Sequence, residues 1–241
     1  DVNKLGKHNM TPLLWAFGGN HETFKRLLEH GADPNAVVQS DFNSRHAIAP
    51  GDSVTHLACN HPDKAYSDLV YDHGGDPNLL NPVSQASPLY KVIRAGLVDA
   101  ERRASRLIEM GADLNHIDGS WKSPVMVAAG WGGQYELALV LLQKGADHRA
   151  RHKESILRFV HVVAIEEIRR VPHLSPDHQA AHARLVKWLE SHGESIEAAK
   201  ADIARWEQGE GSPENIERQM QAELKKLEEE EARLKRESKE N

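Results

Sequence analysis

A five-residue turn returns four times along the chain, as Gly31-Ala32-Asp33-Pro34-Asn35, Gly74-Gly75-Asp76-Pro77-Asn78, Gly111-Ala112-Asp113-Leu114-Asn115 and Gly145-Ala146-Asp147-His148-Arg149. Each copy follows an apolar, helix-like stretch. The leading glycines are spaced by 43, 37 and 34 residues, converging on a unit in the low thirties with insertions in the earlier copies. A unit that short cannot bury its own apolar face, so the recurrence restricts the chain to a stack in which neighbours cover one another. The expected architecture is an all-α solenoid.

Local chemistry sets the limits of each unit. Thr11-Pro12-Leu13-Leu14-Trp15-Ala16, Ser87-Pro88-Leu89-Tyr90 and Ser123-Pro124-Val125-Met126-Val127-Ala128-Ala129 have the form of helix starts. Thr11 or Ser123 can accept a hydrogen bond from an unpaired amide of the first turn, and proline there gives up an N–H that would have no partner. At the other end, Gly31, Gly74, Gly111 and Gly145 suit the left-handed conformation that stops a helix without a Cβ clash. The Asp and Asn residues that follow bond to nearby backbone in turns. Between these signals lie apolar runs such as Phe24, Leu27 and Leu28, or Leu137 through Leu142. Trp15, on the buried-leaning side of its helix, is expected in the core.

These segments resemble the ankyrin repeat, whose consensus opens its first helix with Thr-Pro-Leu-His and closes its second with Leu-Leu-x-x-Gly-Ala-Asp-x-Asn. Ser53-Val54-Thr55-His56-Leu57-Ala58-Cys59 is the second copy's version, with the proline lost and His56 kept. The resemblance spans residues 1–150 as about four units. Asp1-Val2-Asn3 reads as the end of an upstream unit, so the native chain is expected to be longer. A degenerate fifth copy is expected over 151–193, starting near Glu154-Ser155-Ile156-Leu157, with Val171 to Pro176 looping out. Residues 194–241 are expected to form polar C-terminal helices.

The first of these helices carries Ile196, Ala199, Ile203 and Trp206 on one side, before Gly209-Glu210-Gly211 breaks it. Ser212-Pro213 then starts a second, with a thin stripe of Ile216, Met220, Leu224, Leu227 and Leu234 interrupted by four acids at Glu228 to Glu231. The stripe reads either as a solvated helix held by acid–base pairs or as a docking helix.

The chain carries a formal charge of −6 and no long basic run, which argues against nucleic acid or an anionic membrane as its main partner. No apolar run approaches the roughly 20 residues that span a bilayer. The single cysteine, Cys59, sits where the repeat has a small buried residue and cannot form an internal disulfide. Cytoplasm and periplasm both stay open. His21-Glu22-Thr23-Phe24-Lys25 lacks the second histidine of a zinc-protease helix, and no glycine loop cradles a phosphate. His178 and His182, four residues apart near His173 and His192, have no cysteine beside them, so no metal, no cofactor and no enzymatic activity are expected.

Function is then expected from surface. In the ankyrin family, partners meet the concave face made by hairpin tips and first helices. Carried over by position, the tips are His8 and Met10, Ala49 and Pro50, Gln85 and Ala86, Trp121 and Lys122, then Arg151 and His152. The exposed first-helix ends include Asn60, His61, Arg94 and Trp131. Trp121 and Trp131 fall on one face, and tryptophan is enriched among interface anchors. The insertion from Val37 to Asp52, with Phe42 and Arg45, is either a recognition loop or a neutral addition.

The resemblance extends to stand-alone ankyrin proteins of bacteria. It implies a non-enzymatic, monomeric binder of another protein. One such role is an immunity protein that inhibits a cognate secreted toxin or effector enzyme of lipase or phospholipase type. The alternative is an intracellular adaptor that recruits its partner through the C-terminal helix.

Overall fold

The computed structural model of the chain describes residues 1–6, 10–37, 49–119, 122–131, 133–152 and 157–209. Helices come in pairs: α1 (Pro12–Ala16) with α2 (His21–Glu29), α3 (Val54–Asn60) with α4 (Lys64–Asp72), and α5 (Pro88–Ala95) with α6 (Ala100–Glu109). They continue as α7 (Pro124–Gly130) with α8 (Tyr135–Gln143), then α9 (Phe159–Arg169) with α10 (Pro176–Ser191), and end at α11 (Ile196–Glu207). First helices stack on first helices, α3 to α5 to α7 to α9 to α11, while α6, α8 and α10 form a second row. The result is an all-α solenoid. Among the described residues no extended strand forms, and the hairpins contribute isolated bridges at Val37–Ser53 and Arg151–Arg158.

The recurring turn is what joins one unit to the next. Gly31, Gly74, Gly111 and Gly145 adopt φ of 82°, 90°, 88° and 104°, so each helix ends in the left-handed conformation its sequence calls for. The chain leaves each glycine through an Asp whose Oδ1 accepts the amide two residues on, at 2.8 Å in all four copies. The following Asn then reaches into the next unit. Asn35 Nδ2 donates to the Gly74 carbonyl at 2.8 Å while its Oδ1 accepts the Asp76 amide at 2.9 Å. Asn78 does the same to Gly111 and Asp113, at 2.9 and 2.7 Å. Asn3 makes the pair of bonds to Gly31 and Asp33, and Asn115 accepts the Asp147 amide. In the fourth copy the residue is Arg149, whose side chain has no acceptor to offer. Arg158 and Glu194, paired at 3.2 Å, link the fifth unit's two ends instead.

The starts of the first helices in units one to four follow the serine and threonine pattern at three of four positions. Thr11, Ser53 and Ser87 accept from the amides of Leu14, His56 and Tyr90. Ser123 makes no such bond. Two buried histidines reinforce their own helix starts: Nδ1 of His56 accepts the Ser53 amide and Nδ1 of His161 accepts the Arg158 amide. Each is thereby the neutral tautomer carrying its proton on Nε2, donated to the Leu79 carbonyl and to Asp202 respectively. Burial holds both rings below the ordinary imidazole value of 6.5.

The core divides into two stripes. The first joins units one and two around Phe17, Phe24 and Tyr66, whose rings meet edge-on or tilted at 4.9–5.9 Å between centroids. Met10 lies within it, 3% exposed, so this tip position faces inward and offers no binding surface. Trp15 is the reverse case, 53% exposed, because Leu13, Leu14 and Phe17 take the inward positions of the short α1 and turn it outward. The second stripe runs from Cys59 and Leu89 through Leu141 to Ile203. Cys59 is fully buried and bonded to the Thr55 carbonyl and the Tyr71 hydroxyl; burial pushes its thiol up to about 12.

The fifth unit's first helix, α9, begins at Phe159, and residues 153–156, where the unit was expected to start, lie outside the described residues. Between α9 and α10 the chain makes a 3-10 turn at Val171–His173, and Pro176, expected in the loop, is the first residue of α10. Helix α11 is less polar in its role than its composition suggests. It lays Ile196, Ala199 and Ile203 on α9 as a further first helix, tied by Lys200–Glu167 at 2.7 Å and His161–Asp202 at 3.2 Å. The second C-terminal helix, from Ser212 on, lies outside the described residues.

Replacing Asn78 with alanine removes two hydrogen bonds between units, at about 1 kcal/mol each. Urea unfolding of Asn78→Ala is therefore expected to show a loss of about 2 kcal/mol, and an unchanged value would remove the side chain's part in stacking. The histidines predict a pH effect of definite sign. As pH falls below 6.5 the unfolded chain takes up protons that buried His56 and His161 resist, so stability drops on acidification. The urea midpoint should fall between about pH 7.5 and about pH 5, and fall less in His161→Gln.

Candidate protein-binding groove

The first helices and hairpin tips share one face, and that face carries two adjoining hollows. One, of about 410 Å³, is lined by Tyr90 and Arg94 of α5, Met126, Val127 and Gly130 of α7, Trp131, and Val162, Ile165 and Glu166 of α9, with Lys122, His152 and Leu157 at its edge. The other, of about 720 Å³, shares Tyr90 and Arg94 and extends over Asn60, Lys91 and Asp118 to Ala49. Together they make a groove across units two to five. Residues four apart share this side of each first helix, Tyr90 with Arg94, Met126 with Gly130 and Val162 with Glu166, and the floor is apolar where Tyr90, Met126, Val127, Val162 and Ile165 line it.

Trp131 stands at the end of α7, half exposed, with its amide bonded to the Val127 carbonyl at 2.8 Å. The Arg94 guanidinium lies over its ring, 3.4 Å from the centroid. This stacking orients an aromatic surface and a cation together at the groove's rim. Glu166, the acid in the same hollow, accepts from Tyr135 and Arg170, each at 3.0 Å, so its charge is already balanced.

The tips are fastened to one another. Asp52, 2% exposed, pairs with Lys91 at 2.8 Å and accepts from Asn81, which also donates to the Pro50 carbonyl. Asn81 Oδ1 in turn accepts the amides of Val83 and Ser84. Farther along, the Gly119 amide donates to the Ser84 carbonyl at 3.0 Å. A Cβ on Gly119 would lie 2.6 Å from that oxygen, so only glycine permits the approach. Fixed tips make a fixed wall.

A sequence profile described as Ankyrin repeat matches residues 8–38. The crystal structure of the ankyrin repeat domain of Bcl-3, a member of the IkappaB protein family, superposes with a TM-score of 0.58 at 21% identity, over 81% of this chain and 75% of that one. The chain is an ankyrin-repeat protein. Similar sequences include Ankyrin repeat protein nuc-2 of Neurospora crassa, 30% identical over 61% of this chain and 12% of that protein. Cyclin-dependent kinase 4 inhibitor B of Rattus norvegicus is 29% identical over 46% of this chain and 74% of its own length. Protein PhlB of Serratia liquefaciens is 30% identical over 53% of this chain and 51% of its own. The chain thus spans about an eighth of the fungal relative and half of the Serratia one.

Within the ankyrin frame the structure gathers Arg94, Lys122, Trp131 and His152 around one hollow and brings Asn60 into the next. Arg151 is exposed beside His152, lining a shallower recess with Arg149, Asp147 and Ser123. His61 packs against Phe17 and Tyr66, at 5.3 and 4.3 Å between ring centroids, so it braces the first core stripe. Met10 is buried, as described above. His8, Trp121, Phe42 and Arg45 lie outside the described residues. The floor residues Tyr90, Met126, Val162 and Ile165 were not singled out by sequence, although their spacing along each first helix carries the signal. The Asp52–Lys91–Asn81 network joins positions 29 and 39 residues apart and leaves no local pattern to read.

Proposed function

We propose that this chain is a non-enzymatic inhibitor that seats its groove on another protein and blocks it. The observation that carries the reading is Trp131, half exposed at the groove's rim and held there by Arg94. A large aromatic side chain kept in one orientation at a surface is the usual anchor of a protein interface. Three reactive side chains are engaged elsewhere: Cys59 is buried, and His56 and His161 cap helices. The rat relative is named as a kinase inhibitor, which favours blocking over mere tethering.

For the partner we propose a secreted toxic enzyme of lipase or phospholipase type, with the chain as its bacterial immunity protein. This rests on resemblance to stand-alone bacterial ankyrin proteins, and the Serratia relative is consistent with it. The adaptor alternative relies on Pro213 to Lys239, outside the described residues, and no structural observation favours it.

The experiment is affinity capture from the producing cells, identification of the partner by mass spectrometry, and titration of the purified pair. Trp131→Ala is expected to weaken binding by about 2 kcal/mol, roughly 30-fold, while deletion of residues 211–241 leaves affinity unchanged. Wild-type affinity in the tryptophan variant, with loss on deletion, would favour the adaptor.

A further inference from the structure

Charge is unevenly placed on this molecule. The whole chain is acidic, at −6, yet the hollow around Trp131 is rimmed by Arg94, Lys122 and His152, with exposed Arg151 in the recess that shares His152. Among the described residues, no carboxylate pairs with Arg94, Lys122 or Arg151, whereas Lys91, Arg158 and Arg170 nearby are each matched to an acid. The acids close to the rim are largely engaged. Glu166 is held by Tyr135 and Arg170, Asp118 receives the Lys122 amide at 3.3 Å, and Asp147 receives the Arg149 amide. At the wall between hollow and recess, Nδ1 of His152 and Oγ of Ser123 are buried with no hydrogen-bond partner among the described residues.

The hollow between Arg94 and Lys122 is apolar, floored by Tyr90, Met126, Val127, Val162 and Ile165 and walled by Trp131. An occupant must therefore present an apolar side chain flanked by negative charge. A carboxylate can bond to Arg94 in the plane of its guanidinium while the face stays on Trp131, because stacking leaves the N–H groups free at the edge.

We infer that the groove binds an acidic protein segment, an aliphatic or aromatic side chain entering the hollow at Trp131 and carboxylates on either side meeting Arg94 and Lys122. This inference rests on the groove being the partner-binding surface and adds the partner's chemistry.

Two peptides test it against ¹⁵N-labelled full-length protein: Ac-Gly-Asp-Leu-Asp-Phe-Glu-Gly-NH₂ and its counterpart with lysine at each acidic position. Oligothymidylate serves as a third probe. Trp131→Phe assigns the indole signal of Trp131. The acidic peptide is expected to shift that signal, with amides of α5, α7 and α9, at a concentration at least about 5-fold below the lysine peptide, the preference shrinking with added salt. The double variant Arg94→Glu with Lys122→Glu, both side chains exposed, should reverse the order while its spectrum stays dispersed. Stronger shifts from the lysine peptide would overturn the acidic assignment and leave the groove as a protein site. Tighter binding of oligothymidylate would overturn a protein segment as the occupant. Silence of the groove to all three probes up to several millimolar would overturn the inference together with the groove reading beneath it.

Discussion

The asparagines that close the first three repeated turns, with Asn3 ahead of them, hold the first four units of the solenoid in register. The amide group of Asn35, like that of Asn78, faces the next unit with one donor and one acceptor, and that unit offers a glycine carbonyl and an aspartate amide at matching distance. Both backbone groups sit where a helix has just ended and would otherwise depend on water. The full pair is made by Asn3, Asn35 and Asn78, and Asn115 makes its acceptor half, so each of the first four turns is placed by the one before it. Apolar contact alone would allow the helix pairs to slide, since burial is not directional.

From this placement the groove follows. First helices aligned by the turns bring residues of α5, α7 and α9 to one surface, and the tips above them are joined by Asp52, Asn81 and Gly119. Trp131 and Arg94 belong to different units, so their stacking also reports the register of those units. Beyond the fifth unit α11 packs on α9 as one more layer in the row of first helices.

Much of the fold was legible because its determinants are local. The glycines, the helix-starting Thr11, Ser53 and Ser87, and the Asp-x-Asn turns each act within a few residues of themselves. What escaped was set by contacts between units. Met10 and Trp15 exchanged places relative to expectation because α1 is barely more than one turn long, and the packing of Leu13, Leu14 and Phe17 decides which side faces in. His61 looked like surface by position and is drawn into an aromatic cluster by Tyr66. At the groove, Arg94, Lys122, Trp131 and His152, named by sequence position, line one hollow. Sequence position missed the floor, since Tyr90, Met126 and Ile165 become neighbours only through stacking.

Amide hydrogen exchange of the free protein tests the central claim most directly. Asp33, Asp76, Asp113 and Asp147 are exposed, and each amide bonds to an asparagine of the preceding unit. Exchange at these four amides as slow as in the interiors of the flanking helices is the predicted result. Exchange at the rate of an open, unprotected amide would contradict the account, because the units would then be held together without the asparagine bonds.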